Sequence, residues 1–92
     1  MKKKREKPID IYELIAKNIK IYRKNRGMTQ AELAEKTEYS HEFIRRIEAP
    51  NTKKNFSLDA VSNIAYALDI EVDKLFERRK EEEEDKENSQ KN

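Results

Sequence analysis

Three consecutive residues, Ser40, His41 and Glu42, supply the side-chain types of a nucleophile, a base and an acid, and Arg45 and Arg46 follow within the next turn. Three chemistries fit that composition: a hydrolytic cluster, a salt-bridged solvent face, or a surface that reads another molecule. The first fails on geometry, because neighbours on a helix point about 100° apart whereas a triad converges from separated segments. With no cysteine, one histidine and one glycine, the chain also lacks the residues for thiolate chemistry, a paired-histidine metal site or a glycine-rich phosphate loop. No enzyme, metal site or cofactor is expected. The second chemistry stays open, since Glu42 precedes Arg46 at i,i+4, the favourable order on an exposed helix. The third depends on what holds these residues.

The surrounding pattern is helical throughout, with no strand-like alternation and no internal repeat. Ile11, Ile15, Ile19 and Tyr22, with Leu14 beside them, follow helical spacing as far as Gly27, a natural stop. Thr29 is an expected N-cap with Glu32 in capping-box position, and Leu33 and Ala34 form the apolar face of a short second helix ending near Thr37. Ser40 caps a third helix, buried through Ile44 and Ile47 and stopped before Pro50. After the loop 51–55, Ser57 caps a fourth helix with apolar positions Leu58, Val61, Ile64, Ala65 and Leu68. Ile70, Val72, Leu75 and Phe76 make a connection and a fifth, short helix.

The ends read differently. Residues 2–7 (KKKREK) precede Pro8 and hold nothing to bury, so 1–8 are expected to be a disordered basic arm. From Glu77 onward there is no apolar residue, and the pairs Arg78/Glu82, Arg79/Glu83 and Lys80/Glu84 would extend the fifth helix by a few turns before it frays. Base before acid is the weaker order, each pair adding only about 0.2–0.5 kcal/mol. The expected organisation is an arm at 1–8, a helical domain at 9–76 and a charged extension at 77–92.

At 92 residues, 35% hydrophobic and 43% charged, the chain is long enough for one small core, and dimerisation would help to stabilise it. It shows no apolar run near the roughly 20 residues of a membrane span and no secretory signal, so the cytoplasm is the expected compartment. The net charge of +2 is unevenly spread. Residues 17–54 carry ten basic and five acidic side chains, whereas residues 55–76 carry one basic and four acidic. Positive charge gathered in the first 54 residues suits a polyanion-facing surface.

A link of about three residues, Glu38 to Ser40, forces the second and third helices to cross closely, as in a helix-turn-helix, and Ala34 is small enough for the crossing. With Ile44 and Ile47 inward, His41, Glu42, Arg45 and Arg46 share one outward surface. Side chains from the first turns of a helix reach into the B-DNA major groove, about 12 Å wide. The arginines suit guanine O6 and N7, or phosphate, and His41 can donate to either. Glu42 repels phosphate, but it can accept from the cytosine amino group or hold Arg46 in position. Phe43 suits the edge of the core better than a thymine methyl.

Residues 15–76 resemble the phage repressor and Cro-like (XRE-type) helix-turn-helix family. The likeness rests on Arg23, on TQAELAEKTEYSHEFIRRIE (29–48) and on SLDAVSNIAYALDIEVDKLF (57–76). It implies an all-α, compact five-helix, lambda-repressor-like domain that binds operator DNA, commonly as a two-fold dimer. By position, His41, Glu42 and Arg46 fall at the family's base-reading sites, with Ser40 and Arg45 close by. Gln30 opens the second helix, where the family contacts phosphate and braces the third; Thr29, Lys53, Lys54 and Asn55 complete the expected phosphate set. Arg23 and Glu48 match a pair that forms a buried salt bridge in the family, and with Ala34, Ile44 and Ile47 they are assigned structural roles.

Two positions depart from the family. Glu38 stands where the turn usually has glycine, so either the turn changes shape or Glu38 takes a positive φ. Ala49-Pro50 replaces the usual glycine after the third helix, in a longer loop. The expected function is a sequence-specific transcriptional regulator on double-stranded DNA, probing a two-fold operator as a homodimer. The alternative is an antitoxin or adaptor on the same fold that holds a protein partner through the tail, since fold alone does not settle function.

Overall fold

The computed structural model describes residues 8–78 of the chain. The basic arm at 2–7 and the ion-pair ladder and partner-holding tail read beyond Arg78 lie outside the described residues. Four α-helices follow in order, α1 (Ile11–Asn25), α2 (Gln30–Thr37), α3 (His41–Glu48) and α4 (Leu58–Ala67), and then a 3-10 helix, Val72–Phe76.

Each α-helix starts on a side-chain cap that offers an oxygen to otherwise unpaired N–H groups. Asp10 accepts from the Tyr12 and Glu13 amides, Thr29 from Glu32, Ser40 from Phe43 and Ser57 from Ala60. At α2 the capping box is complete: the Thr29 amide donates to Glu32 Oε1 at 2.8 Å and the Glu32 amide to Thr29 Oγ1 at 3.0 Å. α1 stops at Gly27, whose φ of +66° lies in the left-handed region that glycine enters without strain.

The core gathers one stripe from every helix. Ile15, Ala16 and Ile19 of α1, Leu33 and Ala34 of α2, Ile44 and Ile47 of α3 and Ala60, Val61, Ile64 and Ala65 of α4 are buried, closed by Phe56, Leu68 and Leu75. A fully buried isoleucine or leucine contributes about 1.5–3 kcal/mol. Ile19, Leu33, Ile44, Ile64, Leu68 and Leu75, all at 0% exposure, therefore carry much of the stability of this small fold.

Three expectations are corrected. The fifth element is a 3-10 helix rather than a fifth α-helix, and it does not run on, because Glu77 is extended at φ −74°, ψ 137°. The reason lies in α1: fully buried Asn18 donates from Nδ2 to the Leu75 carbonyl at 2.9 Å and the Glu77 carbonyl at 2.8 Å. Carbonyls drawn toward a buried amide are not free to continue a helix. Leu58 is 76% exposed and Ile11 41%, although both fit the apolar period. Each opens its helix, and a helical side chain covers the turn before its own Cα, where neither has a turn to pack on. Val72 and Phe76 are also partly exposed, leaving Leu75 as the residue that anchors the 3-10 segment.

Candidate nucleic-acid interface

α3 is built as a rigid rod with one wet side. Ser40 is extended at φ −75°, ψ 153°, and its hydroxyl accepts the Phe43 amide at 3.0 Å, so the serine is occupied as a cap. Ile44 and Ile47, 0% and 4% exposed, fix the inner face, while His41, Glu42, Arg45 and Arg46 are exposed on the other. Phe43 is half-buried at the core edge and meets Tyr39 edge-to-face at 5.0 Å between ring centroids.

The α2–α3 turn fixes where that rod starts. Glu38 has φ 66°, ψ 20°, so it keeps the left-handed turn although it has a Cβ. The Tyr39 amide reaches back to the Ala34 carbonyl at 3.1 Å and the Glu38 amide to Glu35 at 3.2 Å, the bonding that closes a helix on a left-handed residue. Thr37 adds a hydroxyl donated to the Leu33 and Ala34 carbonyls at 2.9 and 3.0 Å. These bonds hold the shape that glycine would otherwise allow at lower cost. Ala34, 4% exposed, is the small residue at the crossing.

Beneath α3 a charged latch ties it to α1 and α2. Arg23 Nε donates to Glu48 Oε2 at 2.7 Å and Nη2 to Oε1 at 2.8 Å, while Nη1 donates to the Met28 carbonyl at 2.6 Å. Gln30 Nε2 donates to the same Glu48 Oε1 at 3.0 Å. Gln30 therefore braces α3 from the first position of α2, half-buried.

One pairing differs from the i,i+4 expectation, and a second has no counterpart in the sequence pattern. Glu42 bonds Arg45 at i,i+3 and not Arg46, which leaves the Arg46 guanidinium without a side-chain partner among the described residues. At a spacing of three rather than four positions, Arg45 lies on the same edge as Glu42. The second is Lys54. Its side chain is 3% exposed, and its ammonium donates to the Ala49 carbonyl at 2.6 Å and lies 3.3 Å from Glu13 Oε2. Lys53 and Asn55, on either side, are exposed. Residues 53–56 and α3 together border a groove of about 340 Å³ that includes Ser40, Glu42 and Arg46.

Three side chains were not singled out from the sequence. Asn18 lies on the same α1 face as Ile15 and Ile19, and a buried amide on an apolar stripe is the signal that could have found it. Asn63 Nδ2 donates to the Tyr39 hydroxyl at 2.7 Å, tying the turn to α4, and Thr52 donates to the Ala49 carbonyl at 3.2 Å. Neither has a local sequence signal, since both depend on tertiary placement.

A short helix laid across another at a left-handed turn, with a buried inner face and an exposed polar outer face, defines a helix-turn-helix module. A family model described as helix-turn-helix matches residues 19–75, and the chain belongs to that family, of the XRE type. It is 33% identical over 72 residues to the HTH-type transcriptional regulator SinR of Bacillus subtilis (strain 168), covering 78% of this chain and 64% of SinR. The chain thus spans somewhat under two thirds of the length of that relative.

Two solved structures are similar. The hypothetical transcription factor NHTF from Neisseria matches with TM-score 0.66 and 25% identity over 73% of each chain. SinR, described as the master regulator for biofilm formation and crystallised in complex with DNA, matches with TM-score 0.62 and 33% identity over 68% of this chain and 98% of that one. No described helix is long and apolar enough to cross a membrane.

Proposed function

We infer that this protein is a sequence-specific DNA-binding transcriptional regulator whose α3 enters the major groove of double-stranded DNA. The observation that carries this reading is the exposed face of α3, where Arg46 stands without a side-chain partner on a helix locked from below. A guanidinium free of internal bonds keeps its fork for a guanine edge or a phosphate. The positive balance of residues 17–54 supplies the attraction that a polyanion requires, and similarity to a regulator crystallised with DNA points the same way.

In this reading His41, Glu42 and Arg46 contact base edges, with Ser40 and Arg45 at the margin of the contact. Thr29, Gln30, Lys53 and Asn55 approach phosphates, which fix register without carrying sequence. The protein acts in the cytoplasm as a homodimer, residues 9–76 forming the DNA-binding domain, on an operator whose half-sites lie roughly 34 Å or a multiple apart.

Selection of binding sites from random duplex DNA, at stated salt, tests this reading. A two-fold consensus with helical-turn spacing is the expected result. Failure to enrich any sequence would remove the operator reading and leave a module that binds protein.

A further inference from the structure

The Lys54 ammonium belongs to a site that DNA recognition does not absorb. The first, second and fourth helices each end with the following backbone N–H groups bonded to their last carbonyls. At α3 those bonds come from side chains instead, with Ala49 extended at φ −67°, ψ 141°. Thr52 Oγ1 donates to the Arg46 and Ala49 carbonyls at 3.4 and 3.2 Å, and Lys54 Nζ donates to the Ala49 carbonyl at 2.6 Å. The same ammonium meets Thr52 Oγ1 at 3.1 Å, the Thr52 carbonyl at 3.4 Å and Glu13 Oε2 at 3.3 Å.

An ammonium has three protons, and these acceptors take them all. The carbonyl of Ala49 belongs to the residue that follows α3, so the ammonium lies just past the negative end of that helix's dipole. One residue on, Phe56 is buried and meets Tyr12 edge-to-face at 5.0 Å. The loop is therefore pinned to α1 at two adjacent residues, Tyr12 and Glu13. Ahead of both pins, Asn51 holds φ 60° in the left-handed region, which asparagine tolerates better than most residues.

We propose that Lys54 is a positioning residue for DNA binding: its buried ammonium caps α3 and fastens the loop 49–55 to α1, so that Lys53 and Asn55 meet the DNA backbone in register, and Lys54 itself holds no phosphate. The inference rests on the DNA-binding reading above for its effect on affinity, and on the free protein for the loop itself.

The test uses the full chain with its selected duplex and compares Lys54→Met, Thr52→Val and Lys53→Ala. Lys54→Met removes the ammonium and keeps the stem; Thr52→Val is near-isosteric at an exposed position, so it reports even where Lys54→Met fails to fold. Losing a charged hydrogen-bond network of this kind should weaken specific binding on the order of tenfold. For both loop variants the slope of log K against log[salt] stays at the wild-type value. Lys53→Ala, by contrast, makes that slope shallower by about 0.9, the share of one phosphate contact. In the free protein, NMR order parameters of residues 50–55 fall and the Ala49 carbonyl shift moves in both loop variants. A slope for Lys54→Met that drops like that of Lys53→Ala, with loop order unchanged, would overturn the proposal, and so would unchanged affinity and loop order in both loop variants. If the wild-type chain selects no DNA, the functional reading fails, and the loop measurements on the free protein still decide whether Lys54 and Thr52 cap α3.

Discussion

Arg23 and Glu48 meet through two hydrogen bonds, 2.7 and 2.8 Å, with side chains 8% and 1% exposed. The pair spans from the end of α1 to the end of α3, and Gln30 joins it from α2. Three helices are thus tied at one carboxylate beneath the polar face.

Removing one partner of such a pair strands a buried charge and costs about 3–5 kcal/mol. Arg23→Met or Glu48→Leu alone is expected to lower the urea midpoint sharply. The double variant, which leaves no unpaired charge, should recover most of the loss. A double-mutant cycle by chemical denaturation checks this.

Glu38 offers the opposite sign. Left-handed backbone costs a residue with a Cβ about 1–2 kcal/mol, and glycine avoids that cost at an entropic penalty of about 0.5–1 kcal/mol in the unfolded chain. Glu38→Gly should therefore stabilise the fold by about 0.5–1 kcal/mol, whereas Glu38→Ala gives no such gain. Thermal unfolding of both variants is the measurement.

Leu58 and Ile64 share one helix and one apolar period, yet they are 76% and 0% exposed. Ile64→Ala should cost about 2–5 kcal/mol through its cavity. Leu58→Ser should stay within about 0.5 kcal/mol, as surface changes do. An equal loss at both positions, read by denaturation, would show that Leu58 is buried in solution.

The Glu42–Arg45 pair is more than half exposed on both sides, where such pairs contribute about 0–1 kcal/mol. Glu42→Gln should leave stability nearly unchanged. By removing a phosphate-repelling charge and freeing Arg45, it should also raise affinity for duplexes of unrelated sequence and steepen the salt slope there, whereas on the selected duplex the loss of its base contact offsets that gain. Fluorescence anisotropy titrations at several salt concentrations measure both effects.

How much of this was legible in the sequence depends on the range of the cause. Caps are local, so Asp10 aside, the N-caps at Thr29, Ser40 and Ser57 and the stripe Leu33, Ala34, Ile44 and Ile47 could be read directly. The Arg23–Glu48 latch came from family likeness rather than from spacing, since 25 residues separate its partners. Leu58 and Ile11 fit the apolar period yet are exposed, because a periodic pattern does not show that the first turn of a helix lacks a floor. The 3-10 segment depends on Asn18, 57 residues from Leu75, and Lys54 depends on where a loop folds against α1. The i,i+4 rule offers Arg46 as one partner for Glu42, while i,i+3 geometry to Arg45 satisfies the same rule of helical neighbours equally well.

The central claim is that α3 reads bases through the guanidinium left without a partner. The most direct measurement compares Arg46→Ala with Lys53→Ala on the selected duplex and on a scrambled duplex of equal length, at one salt concentration. The account predicts that Arg46→Ala loses about 1–3 kcal/mol on the selected duplex and much less on the scrambled one, while Lys53→Ala weakens both alike. Equal losses on the two duplexes for Arg46→Ala would contradict it.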